Sequence, residues 1–206
     1  MKSTILSSAV LALMGASAAS MATPLLSENF DAVSATLAAT SAGAFSAVGG
    51  TNFDVVGVAD GYGYLCAAPA AGNCIDLNGS GGAPQSQVQS NMLFGVGTYL
   101  LSYDLIGSGR GQSDSAKVSF GDYNRDYTLA SGDVTSGIVS NAPVTLTKAG
   151  YLTFASETPG NVGLLLDNVT VASAVPEPGT LALLGLGLAG FGFIRRPKAS
   201  FRRATI

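Results

Sequence analysis

Histidine is absent from all 206 residues. That removes every Ser-His-Asp or Cys-His nucleophilic arrangement and every His-containing zinc or iron site, and with them much of enzymology. Tryptophan is absent as well, charged residues make up only 11%, and there are two cysteines. A mean hydropathy of +0.38 points toward a membrane protein, but the long apolar runs sit only at the two ends. The middle reads as a soluble all-β domain rich in turn residues. Flat repeated threonine arrays, which adhesion to ice demands, are missing too.

Basic residues are few where a body domain would use them. Six of the ten (Lys2, Arg195, Arg196, Lys198, Arg202, Arg203) lie in the terminal segments. Between Thr23 and Val175 only Arg110, Lys117, Arg125 and Lys148 face twelve acidic residues, a net charge of −8. Nucleic acid and anionic head groups repel such a body, whereas cations and neutral polymers such as polysaccharide do not. Nucleic-acid binding is excluded.

Residues 1–22 have the three parts of a secretion signal: Lys2, an apolar run from Ile5 to Met14, and small residues before a cut. Ser20-Met21-Ala22 and Ala16-Ser17-Ala18 both fit the cleavage rule, and cleavage after Ala22 is the preferred reading. The Sec translocon and signal peptidase are the implied partners. The competing reading is a buried N-terminal helix, since a ten-residue apolar run is too short to span a bilayer of about 30 Å.

The other end, residues 174–206, has a different plan. Val175-Pro176-Glu177-Pro178 precedes an uncharged, glycine-rich apolar stretch, then Arg195, Arg196 and Lys198 and a basic tail over 195–206. The fifteen residues from Thr180 to Ile194, rising about 1.5 Å each, cover about 22 Å, so a membrane helix over 179–194 is marginal. Five basic residues follow it, which places the C-terminus in the cytoplasm and the body outside. The prolines forbid helix up to Pro178 and leave an extended linker. Gly185, Gly187, Gly190 and Gly192 ease local unwinding.

This tail resembles the PEP-CTERM sorting signal of Gram-negative bacteria. The resemblance implies recognition of the Pro-Glu-Pro tripeptide by exosortase, a membrane-embedded cysteine protease or transpeptidase found with exopolysaccharide gene clusters, and a cut near Pro176, Glu177 and Pro178. Tails of this type also carry the label of an ice-binding-protein C-terminal domain, which says nothing of ice here. The plainer alternative is a single-pass anchor that is never cut.

Residues 23–173 form the passenger. Short alternating runs between turn residues predict an antiparallel β-sandwich, a jelly roll. Strands are expected near Asn52 to Val58, Asn73 to Asn78, Gln85 to Phe94, Thr98 to Ile106, Ala116 to Phe120, Arg125 to Ala130, Val144 to Thr147, Tyr151 to Ser156 and Gly163 to Ala172. In the clearest, Tyr99, Leu101, Tyr103 and Leu105 share one face. Alanine-rich Ala32 to Ala47 reads as loop or one short helix. The words around Phe30-Asp31, Asp76-Leu77-Asn78-Gly79, Gly97-Thr98-Tyr99 and Leu166-Asp167-Asn168 resemble galactose-binding-like jelly rolls of secreted carbohydrate-binding modules.

That second resemblance implies one structural Ca²⁺ where the first strand meets the last, with Glu28, Asp31 and Asp167 as the matching oxygen donors; the alternative is that they are solvated acids or turn caps. Cys66 and Cys74, both in the exported region, are expected to form a disulfide. Asp114, Asp122, Asp126 and Asp133 gather in the Gly/Ser-rich middle, where the expectation is turns and strand ends and not a catalytic pair. Tyr62 and Tyr64 are the candidate ligand-contacting aromatics, with turn packing as the competing reading. The resulting expectation is an exported, exosortase-processed surface or matrix protein without catalysis, with polysaccharide as a candidate ligand. A carboxylate-based glycoside hydrolase or lyase and a plain membrane-anchored structural protein are the alternatives.

Overall fold

The computed structural model describes residues 24–66, 72–80, 85–135 and 143–174. The expected signal segment 1–22, the motif 175–178, the apolar stretch 179–194 and the basic residues Arg195, Arg196 and Lys198 lie outside the described residues. Among those described, no helix is long and apolar enough to cross a membrane.

The described residues form fourteen strands: β1 (Pro24–Glu28), β2 (Thr36–Ala39), β3 (Ser41–Ala42), β4 (Phe45–Ala47), β5 (Phe53–Val56), β6 (Cys74–Asp76), β7 (Gln87–Ser90), β8 (Gly97–Ile106), β9 (Asp114–Phe120), β10 (Tyr123–Leu129), β11 (Val134–Thr135), β12 (Val144–Leu146), β13 (Leu152–Ser156) and β14 (Leu165–Ser173). They form two antiparallel sheets packed face to face. The larger runs β11-β8-β14-β6-β5-β2, with β1 also on β14 and β12 also on β8. The smaller runs β10-β9-β13-β7-β4-β3. The sandwich expected from the alternation is therefore present, and each of the nine expected strands overlaps an observed one.

Alternation explains the core. Along β8, Tyr99, Leu101, Tyr103 and Leu105 are buried toward the opposite sheet, where they meet Val118, Phe120 and Phe154. Phe94 and Phe120 stand edge to face with ring centroids 5.0 Å apart, and Tyr103 and Phe154 likewise at 5.2 Å, the arrangement that ring quadrupoles favour. The buried Tyr103 hydroxyl shares a 2.8 Å hydrogen bond with that of Tyr127, so its polar tip is satisfied. Burial pushes the Tyr103 phenol well above its ordinary value.

The stretch 32–47 departs from expectation. In place of loop or a short helix it forms β2, β3 and β4, with β2 on β5 and β4 on β7. Edge pairing and the burial of Phe45 and Ala42 outweigh alanine's helix preference. Glu28 fastens this region from afar: its carboxylate accepts the Phe30 N–H at 2.9 Å and the Ala44 N–H at 2.9 Å. The carboxylate lies against Gly43, which has φ +51° and no room for a Cβ.

Candidate functional site, a cleft on the outer face of the larger sheet

The larger sheet carries a second, smaller hydrophobic cluster on its outer face: Val56, Leu65, Cys66, Cys74, Ile106 and Leu165. It is roofed by the segment that follows β5. A disulfide joins Cys66 to Cys74 at a sequence separation of eight, pinning the far end of that segment to β6. Asp60 shapes the near end. Its Oδ1 accepts the Gly57 N–H at 3.1 Å and the Tyr62 N–H at 3.0 Å, and Gly61 takes φ +84°, a left-handed turn suited to glycine. Tyr62 is thus presented on a fixed turn. Its ring centroid lies 6.4 Å from that of Tyr64, and the two are 43% and 71% exposed.

Beneath Tyr62 opens a cleft of about 110 Å³ lined by Leu37, Asp54, Val56, Tyr62, Leu65, Asp76, Ser80, Arg110 and Asn161. Asp54 and Asp76 are cross-strand partners on β5 and β6. Both are buried because the alternation that points Phe53, Val55 and Ile75 into the core points them outward under the roof. Asp54 Oδ1 accepts the Ala38 N–H at 2.7 Å and the Ser80 N–H at 2.9 Å, and Oδ2 accepts the Ser80 hydroxyl. Asp76 Oδ1 accepts the Asn78 N–H at 3.0 Å and the Gly163 N–H at 3.1 Å, while Oδ2 pairs with Arg110 Nη2. Burial pushes the Asp76 carboxyl up to about 6, with the Arg110 guanidinium pulling the other way. Both carboxylates are held as acceptors by several donors, and that of Asp76 positions Arg110. The guanidinium remains partly exposed and reaches the Asn161 carbonyl at 3.4 Å.

The remaining expected site residues distribute as follows. Tyr62 and Tyr64 come together, and Tyr62 lines the cleft. Glu28, Asp31 and Asp167 do not converge on one centre: no group of three His, Cys, Asp or Glu among the described residues is arranged to hold a metal. Glu28 is taken by Phe30 and Ala44. Asp31 accepts the Asn29 amide at 2.8 Å and the Asn73 N–H at 3.1 Å. Asp167 Oδ1 accepts the Asn168 N–H at 2.7 Å; burial, reinforced by Asp31 and Asp104, pushes its carboxyl up to about 6. Glu28 thus caps the turn at Phe30 and reaches Ala44, while Asp31 ties that turn to Asn73. The four central aspartates scatter. Asp114 is buried with Gln112, Asp122 binds Thr147, Asp126 sits 3.5 Å from Lys117, and Asp133 caps Ala130.

Arg110, Asp54, Asp76, Ser80 and Asn161 were not singled out by sequence as a site. One signal was available: Arg110 is one of four basic residues between Thr23 and Val175 and stands alone in Ser108-Gly109-Arg110-Gly111.

The sandwich defines the class, a jelly-roll-like all-β domain, and comparison with known proteins agrees. One solved structure it resembles is the C-terminal family 22 carbohydrate-binding module of Clostridium thermocellum Xyn10B, at 15% identity over 75% of this chain and 96% of that one, with a TM-score of 0.40. An arabinose-bound GH51 α-L-arabinofuranosidase, MgGH51, aligns at 13% identity with a TM-score of 0.50, over 76% of this chain but 27% of that one. The chain thus spans about a quarter of the arabinofuranosidase, and the likeness is one of fold. No curated protein matches. The tail is more particular: residues 174–196 match the PEP-CTERM protein-sorting motif. That motif implies export, membrane-anchored processing and exosortase as the processing partner.

Proposed function

We propose that this chain is an exported, non-catalytic surface or matrix protein that holds a polysaccharide segment in the cleft beneath Tyr62 once exosortase has released it near Pro176, Glu177 and Pro178. The observation that carries the binding reading is the pairing of an exposed, turn-fixed Tyr62 ring with Arg110, whose guanidinium is fixed by a buried carboxylate. An aromatic face takes the apolar side of a sugar ring, and a few fixed polar groups set its orientation. The cleft is far smaller than the roughly 300–1,000 Å³ pockets that enclose ligands, so a chain lies across it. The net charge of −8 on the body disfavours polyanions.

The hydrolase reading requires a carboxylate pair with one member free to protonate a leaving group. The engagement of Asp54 and Asp76 by backbone amides, Ser80 and Arg110 speaks against it. The test is retention on immobilised exopolysaccharide and on glycan arrays, comparing wild type with Tyr62→Ala. Retention lost in the variant supports the cleft; equal elution of both rejects it. New reducing ends during incubation support the hydrolase instead.

A further inference from the structure

We infer that the end of the sandwich from which the chain leaves toward its tail is a membrane-contacting face, seated on the lipid surface while the precursor is anchored. It rests on the tail anchoring the chain and is independent of what the cleft binds.

Ten large hydrophobic side chains are exposed among the described residues, and they fall into two groups. Leu37, Val58, Tyr62 and Tyr64 lie in and around the cleft and its roof. The other six, Leu25, Met92, Leu93, Val96, Leu100 and Tyr151, share the opposite end. The register shows why. Ser173 pairs with Tyr99, and the Ala174 N–H donates to the Thr98 carbonyl at 2.9 Å, so the chain exits two residues from Val96. Leu100 and Pro24 both pair with Ala172, which places Leu25 beside the exit. Phe94 and Gly150 exchange two backbone hydrogen bonds of 3.0 Å, which brings Tyr151 to the loop of Met92, Leu93 and Val96. β8 runs from this end to Ile106 under the cleft, about 30 Å at a strand's rise.

Chain length then fixes what covers the patch. Four residues, Val175 to Pro178, separate Ala174 from the apolar stretch, a reach of at most about 14 Å fully extended. With that stretch in a bilayer, the exit end stands at the head-group level, and exposed apolar side chains gain by entering the interface. Among the described residues, the ion pair at this end, Asp122 with Lys148, spans 3.5 Å and its two charges offset one another. The cleft consequently faces away from the membrane.

The chain has no tryptophan, so one introduced residue reports alone. The full-length precursor carrying Leu93→Trp, and a second carrying Ser113→Trp at the far end of β8, are reconstituted in phosphatidylcholine vesicles with and without brominated acyl chains. The expected result is a blue shift on vesicle binding and loss of emission with brominated lipid for Leu93→Trp, and for Ser113→Trp neither, with full quenching by aqueous iodide. Equal iodide quenching of the two reporters on floated vesicles overturns the docking. Protection of Leu93→Trp without bromolipid quenching also overturns it, because a second copy or the chain's own tail then covers the patch. Failure of the precursor to float with vesicles contradicts anchoring itself, and the docking with it.

Discussion

Arg110 donates from a partly exposed guanidinium to the buried carboxylate of Asp76, thirty-four positions earlier in the chain. Removing one member of a buried pair leaves the other charged and unsolvated, at a cost of about 3–5 kcal/mol. Arg110→Ala should therefore lower the stability of the domain by about 3 kcal/mol at pH 7. The loss should shrink at pH 5, where Asp76, already pushed up to about 6, is protonated and has no charge to strand. Urea unfolding at the two pH values measures both.

Asp167 makes a pH prediction of defined sign. Its folded carboxyl is raised from 3.8 to about 6, so the folded state binds the proton more tightly than the unfolded one. Stability is then highest below the unfolded value and falls as pH rises through the window from about 4 to 6. Asp167→Asn should flatten that fall and add about 1 kcal/mol at pH 7, after allowance for solvent screening. Asp76 contributes a slope of the same sign, so some dependence should persist. Thermal melts across pH 4 to 7 for both proteins supply the comparison.

The disulfide closes a short loop under the cleft roof. Replacing Cys66 and Cys74 together by serine should cost about 2.5 kcal/mol in the chain-entropy account. It should also weaken polysaccharide retention, since the segment bearing Tyr62 and Tyr64 loses its tie to β6. Calorimetry gives the first effect and affinity chromatography the second.

Glu28→Ala should cost about 2 kcal/mol by orphaning the amides of Phe30 and Ala44. With no group of three acids among the described residues arranged around one centre, wild-type melting should be unchanged between Ca²⁺ and chelator. A calcium-dependent rise in melting temperature would restore Glu28, Asp31 and Asp167 as ligands.

Much of the sandwich was readable because period-two alternation is strong in β8 and β9, whose buried residues include Tyr99, Leu101, Tyr103, Val118 and Phe120, while β13 and β14 are largely buried apolar runs. β1 to β4 were not readable. Pro24–Glu28 buries only Leu26 fully, and Thr36–Ala39 only Ala39, so their strand character comes from neighbours and leaves almost no pattern in the chain. The cleft was half readable. Tyr62 stood out as an aromatic between glycines, but its partners come from Asp54, Asp76, Arg110 and Asn161, brought together only by pairing β5 with β6 and by the loops beyond β8 and β13. The calcium reading matched residue types near the junction of β1 and β14, and sequence does not reveal that the amides of Phe30 and Ala44 donate to Glu28.

Mass spectrometry of the protein recovered from the medium tests the account most directly, because it reads both termini at once. The account predicts a body beginning at Thr23, ending within Val175 to Pro178 and lighter by two hydrogens for the Cys66–Cys74 bond. A secreted species that still extends to Ile206, or one with both thiols reduced, would contradict it.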